Sequence, residues 1–231
     1  MNRPATRAVA WTAFRLIVTL SLCLVGAVLL TAPEAKAAAF TPTPNPSVTA
    51  APSPTPAGRL IFEQDNGLLR GAARASLITN IAARLLDFRL EVSFINPYDG
   101  DSTFWTYGIG FGVVENTAHV FLISADGTWS LVRSSSDGAS TIHEGYLKRF
   151  DTAPQSVHTI QIKVAGRSFQ AWLDGQLIAN LTLKESPARG SILVAGAASP
   201  QRGDQVIIRY RQLRVYDLEP HPTPTASPRP K

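Results

Sequence analysis

Residues 87–114 carry the clearest alternation in the chain. Phe88, Leu90, Val92 and Phe94 fall on one parity, and Arg89, Glu91 and Ser93 on the other. A period of two marks a strand with one face in a core and the other toward water. The second half alternates differently, with Tyr107, Ile109, Phe111 and Val113 opposite Gly108, Gly110 and Gly112. A glycine face weakens a strand, so a neighbouring segment or a ligand is expected close against it. The connection 96–103 is rich in Asn, Pro, Asp, Gly and Ser, which turns the chain.

The same punctuation recurs downstream. Strands are expected at 119–124 and 128–133, joined by Ala125-Asp126-Gly127, and at 141–146 after a polar loop at 134–140. Further strands are expected at 157–164, 168–173 and 176–183, the last two joined by Asp174-Gly175, and at 192–197. Asp-Gly between alternating runs is a strong hairpin signal. In 176–183 the parity sets Leu177, Ala179, Leu181 and Leu183 against Gln176, Asn180 and Thr182. In 205–218 the apolar parity switches after Tyr210, which a bulge before Leu213 would absorb. Upstream, 59–63 reads as a first strand. The run 71–86 reads as a short strand around 76–79 followed by room for a helical turn. About eleven short strands without a convincing long helix predict an all-β fold, a two-sheet antiparallel sandwich.

Composition sets the boundaries. Six prolines fall in 42–56 and five in 220–230, out of 17 in the chain. The expected organisation is a leader at 1–37, a Pro/Thr-rich linker at 38–58, one domain at 59–219 and a Pro-rich tail at 220–231. The leader has Arg3, Arg7 and Arg15, an apolar run at 16–30, and Ala35-Lys36-Ala37, the order of a signal peptide. Two readings stand: cleavage after Ala37 or Ala39, which implies a secreted or surface protein, or an uncleaved anchor holding the domain on a membrane. Cys23 lies in the apolar run, so the cleaved protein would have no cysteine. The net charge of +5 falls to +2 once Arg3, Arg7, Arg15, Lys36 and Glu34 are removed, since 18 basic and 16 acidic residues remain. With no basic block, a nucleic-acid partner is not expected.

The run Asp-Phe-Arg-Leu-Glu-Val-Ser-Phe-Ile-Asn-Pro-Tyr from Asp87, then Trp-Thr-Tyr-Gly-Ile-Gly-Phe from Trp105, resembles the opening strands of concanavalin A-like lectin/glucanase domains. Ser-Ala-Asp-Gly-Thr-Trp-Ser-Leu from Ser124 and Phe-Gln-Ala-Trp-Leu-Asp-Gly-Gln-Leu-Ile-Ala from Phe169 resemble the same group. The resemblance covers 59–219. It implies a jelly roll with one concave sheet, and it extends to laminin G-like modules, family 16 glycoside hydrolases and 3-keto-disaccharide hydrolases. Similar domains sit on bacterial surfaces behind linkers of this Pro/Thr-rich kind.

The family 16 enzymes carry Glu-x-Asp-x-x-Glu or Glu-x-Asp-x-Glu on one strand, because a retaining glycosidase needs two carboxylates about 5–5.5 Å apart. No Glu-x-Asp pair is expected on the strands of this chain, and Glu91, the closest strand carboxylate, is followed by Ser93. No catalytic residue and no cofactor are therefore expected. His119, His143, His158 and His221 are too widely spaced to suggest a metal cluster. Asp99 and Asp101 could offer oxygens to calcium, but read first as ordinary turn residues of a surface loop. Asn180-Leu181-Thr182 fits a glycosylation sequon, discounted because it lies in an expected strand and the Pro/Thr-rich linkers look bacterial.

The aromatics are the better lead, since sugars stack on rings while their hydroxyls take hydrogen bonds. Trp172 faces away from Phe169, Ala171 and Leu173 by parity and is the first candidate. Trp105, Tyr98 and Trp129 lie beside turns, and Arg209 and Arg211 point outward as possible hydroxyl partners. The expected function is an exported, non-catalytic module binding carbohydrate or a cell-surface glycan. A structural or adhesive spacer is the alternative, and an enzyme of the same fold the third.

Overall fold

The computed structural model describes residues 58–200 and 205–219, and every regular element among them is a strand. The leader, most of the linker and the Pro-rich tail lie outside the described residues.

Twelve strands form two sheets of six. They are β1 (Arg59–Ala72), β2 (Leu77–Leu85), β3 (Phe88–Ile95), β4 (Trp105–Val114), β5 (Thr117–Ser124) and β6 (Thr128–Ser135). They continue as β7 (Gly138–Tyr146), β8 (Val157–Ala165), β9 (Ser168–Leu173), β10 (Gln176–Thr182), β11 (Gly190–Ala198) and β12 (Gln205–Asp217). The first sheet runs β1-β12-β3-β8-β9-β10 and the second β2-β11-β4-β5-β6-β7, with every described pairing antiparallel.

The two strands read from 87–114 belong to opposite sheets. β3 pairs with β8 and β12, while β4 pairs with β5 and β11. The segment between them therefore carries the chain across the sandwich. Alternation predicted which side chains go inward: Phe88, Leu90, Val92 and Phe94 from β3 meet Trp105, Tyr107, Ile109 and Phe111 from β4 in one buried core. Phe94 stacks on Tyr107 with centroids 4.4 Å apart and planes 6° apart, locking the sheets ring to ring.

The glycine face of β4 is explained by its neighbours. A Cβ at Gly108 would lie 1.9 Å from the Phe121 carbonyl oxygen, and one at Gly110 would lie 3.0 Å from the Leu193 side chain. The close segment is therefore the adjoining strand on each side. Past Gly110 the parity breaks: the ladder slips between Phe111 and Val114, and Val113 leaves the core. The expected bulge in β12 is present. Gln212 has φ +54° and the register shifts between Arg211 and Arg214, so Val206, Ile208 and Tyr210 share the core with Leu213 and Val215.

Four expectations change. β1 runs to Ala72 and β2 to Leu85, with no helical turn between 77 and 85, because each lies on its sheet's rim against one long partner, β12 and β11. The polar loop at 134–140 is mostly strand, closed by a tight turn at Ser136-Asp137. Leu177 is 47% exposed rather than inward, because a bulge between Leu177 and Ala179 resets the parity of β10. Among the described residues the count is twelve, not eleven.

β7 is exposed along nearly its whole length, on both faces. The second sheet thus extends past the cover of the first, and the sandwich stands open between its two rim strands, β7 and β10.

Candidate functional site

The open side holds a cleft of about 760 Å³. Its walls come from the end of β7, the loop 147–156 that leads to β8, and the β9–β10 hairpin. The hairpin is closed by Asp174 (φ +49°) and Gly175 (φ +79°), the two left-handed positions that an Asp-Gly turn supplies at low cost. That geometry turns the Asp174 carboxylate back onto β8. Its Oδ1 accepts the Thr159 amide at 2.7 Å and its Oδ2 faces His158 Nδ1 at 2.7 Å.

His158 is held from both sides, since Nε2 lies 2.7 Å from the Asp151 carbonyl oxygen. Both partners are acceptors, so both ring nitrogens can donate only in the imidazolium form. Burial alone pushes His158 downward, but the hydrogen bonds to Asp174 and to the Asp151 carbonyl outweigh it and the net direction is upward. Asp151 is itself fixed: Ser156 Oγ donates to Oδ2 at 2.7 Å and the Ala153 amide to Oδ1 at 3.0 Å, which holds its carboxyl below the usual range.

The loop is tied to the core through Asn96, which is fully buried. Its Nδ2 donates to the carbonyls of Asp151 (2.9 Å) and Ala153 (3.1 Å), and its Oδ1 accepts the Tyr107 hydroxyl at 2.9 Å. Burial, then the charge of Asp174, pushes the Tyr107 phenol well up, so it remains a donor. A continuous path therefore joins the core to the hairpin turn: Tyr107, Asn96, the 151–153 backbone, His158, Asp174. Rigid support of this kind suits a site that must hold a shape.

On that floor stand side chains with free surface. Tyr146 is 67% exposed, and Lys148, Arg149 and Gln176 are exposed around it. Lys148 and Arg149 make no ion pair among the described residues. Trp129 closes the inner end, 6% exposed and laid across Gly145, where a Cβ would come within 2.5 Å of its ring. An aromatic face beside amide, ammonium and guanidinium donors can stack a sugar ring and bond its hydroxyls. Among the described residues Asp174 is the one carboxylate lining the cleft, and it is already engaged.

The residues singled out in the sequence are dispersed. Trp172 is half-buried on the outer face of the first sheet, between Gln161 and Leu177 in the cross-strand row, and Leu177 also lines the cleft. Trp129 lies in the cleft wall. Trp105 is fully buried: it stacks on Tyr107 at 5.0 Å and its Nε1 donates to the Tyr98 carbonyl at 3.0 Å, leaving no ring face for a ligand. Tyr98 packs half-buried against the core. Arg209 and Arg211 are exposed on β12, three strands from Trp172 and so about 14 Å across the sheet. They do not converge with Trp172 on one sugar.

The carboxylates need one correction. A Glu-x-Asp pair does occur, at Glu63 and Asp65 on β1, but Gly67 and Leu68 stand where the third carboxylate of the enzyme motif would be. Glu63 takes a hydrogen bond from Arg214 Nε at 2.7 Å, on the rim of the sheet far from β10. Asp99 Oδ1 accepts the Asp101 amide at 3.1 Å, as in an Asx turn, and no group of three metal-ligating side chains occurs among the described residues.

The sequence reading missed Tyr146, Lys148, Arg149, Gln176 and the His158–Asp174 pair. Asp174 was visible only as a turn residue. The pair makes a pH prediction. A folded-state pKa raised above the unfolded value of about 6.5 gives stability that is complete below that value and is lost as pH rises through the folded pKa. Thermal unfolding followed from pH 6 to pH 9 should show the midpoint falling through this window, and His158→Gln should flatten that part of the profile. An unchanged slope in the variant would remove His158 as its source.

No family model and no curated protein matches the chain. Solved structures do. The fructosyltransferase from A. japonicus aligns with a TM-score of 0.52 at 13% identity, over 69% of this chain and 26% of that one. Aspergillus kawachii beta-fructofuranosidase aligns with a TM-score of 0.51 at 10% identity, over 69% and 27%. This chain thus spans about a quarter of either enzyme. The carbohydrate-binding module CBM66 from Bacillus subtilis aligns with a TM-score of 0.44 at 14% identity, over 57% and 83%. With its two stacked antiparallel sheets, the chain has the concanavalin A-like jelly-roll fold.

Proposed function

We propose that this domain is an exported, non-catalytic glycan-binding module whose ligand sits in the cleft beneath Tyr146. The observation that carries the reading is a tyrosine two-thirds exposed, lining the same cleft as the hydrogen-bonded His158–Asp174 pair. The ring offers an apolar face to a sugar, and Gln176, Lys148 and Arg149 offer donors to its hydroxyls. Binding is favoured over hydrolysis by the single carboxylate among the described residues that line the cleft, because glycoside cleavage canonically uses two. Export rests on the basic, apolar and Ala-x-Ala order of the leader.

The test is a glycan array with the full chain, followed by titration of the strongest hit. Tyr146→Ala should weaken that hit about tenfold, the loss of a stacking contact worth roughly 1 kcal/mol or slightly more. Circular dichroism should be unchanged, since Tyr146 is outside the core. A folded chain that retains no glycan would favour the spacer reading, and turnover of a bound glycan would overturn the non-catalytic one.

A further inference from the structure

A second hollow, of about 320 Å³, opens on the same side of the sandwich. It is lined by Ser140, Thr141 and Ile142 at the start of β7, and by Leu183, Lys184 and Glu185 just past the end of β10. The main cleft has the opposite ends of these same strands, Tyr146 of β7 and Gln176 to Ile178 of β10. The two hollows therefore stand at the two ends of the rim strands.

Between them the β7 wall faces solvent. The residues of β7 from 139 to 144 are all exposed. Trp129 of the main cleft tilts against His143, the exposed neighbour of Ile142, with centroids 5.6 Å apart. Ile142 itself is 38% exposed, pushed out where the β6–β7 ladder slips between Leu131 and Val132. Arg133 stands at this end with Glu185, 3.2 Å away, so its guanidinium is oriented while 46% of the side chain stays exposed. From Gln176 to Thr182 the wall runs seven residues, about 20 Å at the rise of a strand. One sugar ring would occupy only a fraction of that length.

Resting on the glycan reading above, we infer that the ligand is the interior of a linear oligosaccharide, lying along the open edge from the Tyr146 cleft to the Ile142 hollow. The recognition is then of several consecutive units, with ring stacking at the Tyr146 end. At the Ile142 end an apolar patch sits beside Arg133, Ser140 and Thr141. A module of this kind binds a chain along its length instead of capping a terminal sugar.

The experiment is titration of the full chain with laminari-, fructo- and galacto-oligosaccharide ladders from the disaccharide to the octasaccharide. Affinity in one ladder should rise at least about tenfold with length and then level off once both ends are filled. Ile142→Ala should lower affinity for the longest members and leave the disaccharide unchanged, whereas Tyr146→Ala should weaken every length. Because Ile142 is on a rim strand with its side chain partly in water, the variant should keep the circular dichroism of the parent. Affinity independent of length, or an Ile142→Ala effect equal at all lengths, would overturn the extended site while leaving glycan binding in place. Failure of every ladder, together with an empty array, would instead count against the glycan reading itself.

Discussion

Asn96→Leu should lower the unfolding free energy by about 3 kcal/mol or more. Asn96 has no solvent exposure, and its amide makes three hydrogen bonds across otherwise separate parts of the chain. Leucine has a similar volume, so the effect is not that of a cavity. It comes from partners left behind. The Tyr107 hydroxyl, buried against Phe94, has no other acceptor among the described residues, and an orphaned buried donor costs roughly 1–3 kcal/mol. The carbonyl of Ala153 loses the Asn96 amide, and that of Asp151 keeps only His158. Urea unfolding measures the loss. Adding Tyr107→Phe to Asn96→Leu should recover part of it by removing the orphan, and this separates an unpaired hydroxyl from general damage. On the proposed function, glycan binding should fall in the single variant as well, because the 151–153 backbone and His158 position the cleft floor. A stability change under 1 kcal/mol would show that the path from Tyr107 to the loop carries no load.

Much of the sandwich was legible because strand alternation is a local signal. Phe88 to Phe94, Ile160 to Val164 and Phe169 to Leu173 each declare their inward face within a few residues, and Asp-Gly marks the hairpins. Even the phase change in β12 was readable, because Tyr210 and Leu213 cannot both be core without an extra residue between them. Which sheet receives a strand was not readable. β3 and β4 follow one another and yet lie in opposite sheets, since pairing depends on partners such as Ile162 and Leu193, far along the chain.

The candidate site was less legible, for a related reason. Tyr146 ends a strand exposed on both faces, so alternation says nothing about what it points at. Asn96 looks like an ordinary residue before a proline, because its partners lie 55 and 57 positions away. Glu63-Gln64-Asp65 shows the converse: a local pattern that resembles part of a catalytic strand stands on a rim, paired to Arg214. For two of the tryptophans the needed signal was present. Trp105 shares parity with Tyr107, Ile109 and Phe111, and Trp129 shares parity with Leu131, so both belonged with the inward set. Proximity to a turn is a weaker guide than parity.

Trp105→Ala should therefore cost about 3–5 kcal/mol, the range for emptying a large aromatic site in a core. Trp105 is 0% exposed, stacked on Tyr107 at 5.0 Å and tilted on Phe150 at 6.0 Å. Its indole also donates to the Tyr98 carbonyl, which fixes the start of the connection between the sheets. The surrounding rings are held by both sheets, so the space cannot readily close, and the upper part of the range is expected. Trp172→Ala is the control of equal chemistry. That ring stands half-buried on the outer face of the first sheet, and its loss should change stability by about 1 kcal/mol or less. Urea midpoints for the two variants give the comparison directly. There is a functional consequence too, since Phe150 packs over the His158 ring at 4.5 Å and lines the cleft. With Trp105 gone, Phe150 loses its backing, so any folded Trp105→Ala protein should also show a weaker pH dependence of stability around His158. Equal destabilisation by the two truncations would mean that Trp172 is as much a part of the packing as Trp105, and its candidacy as a sugar platform beside Leu177 would end there.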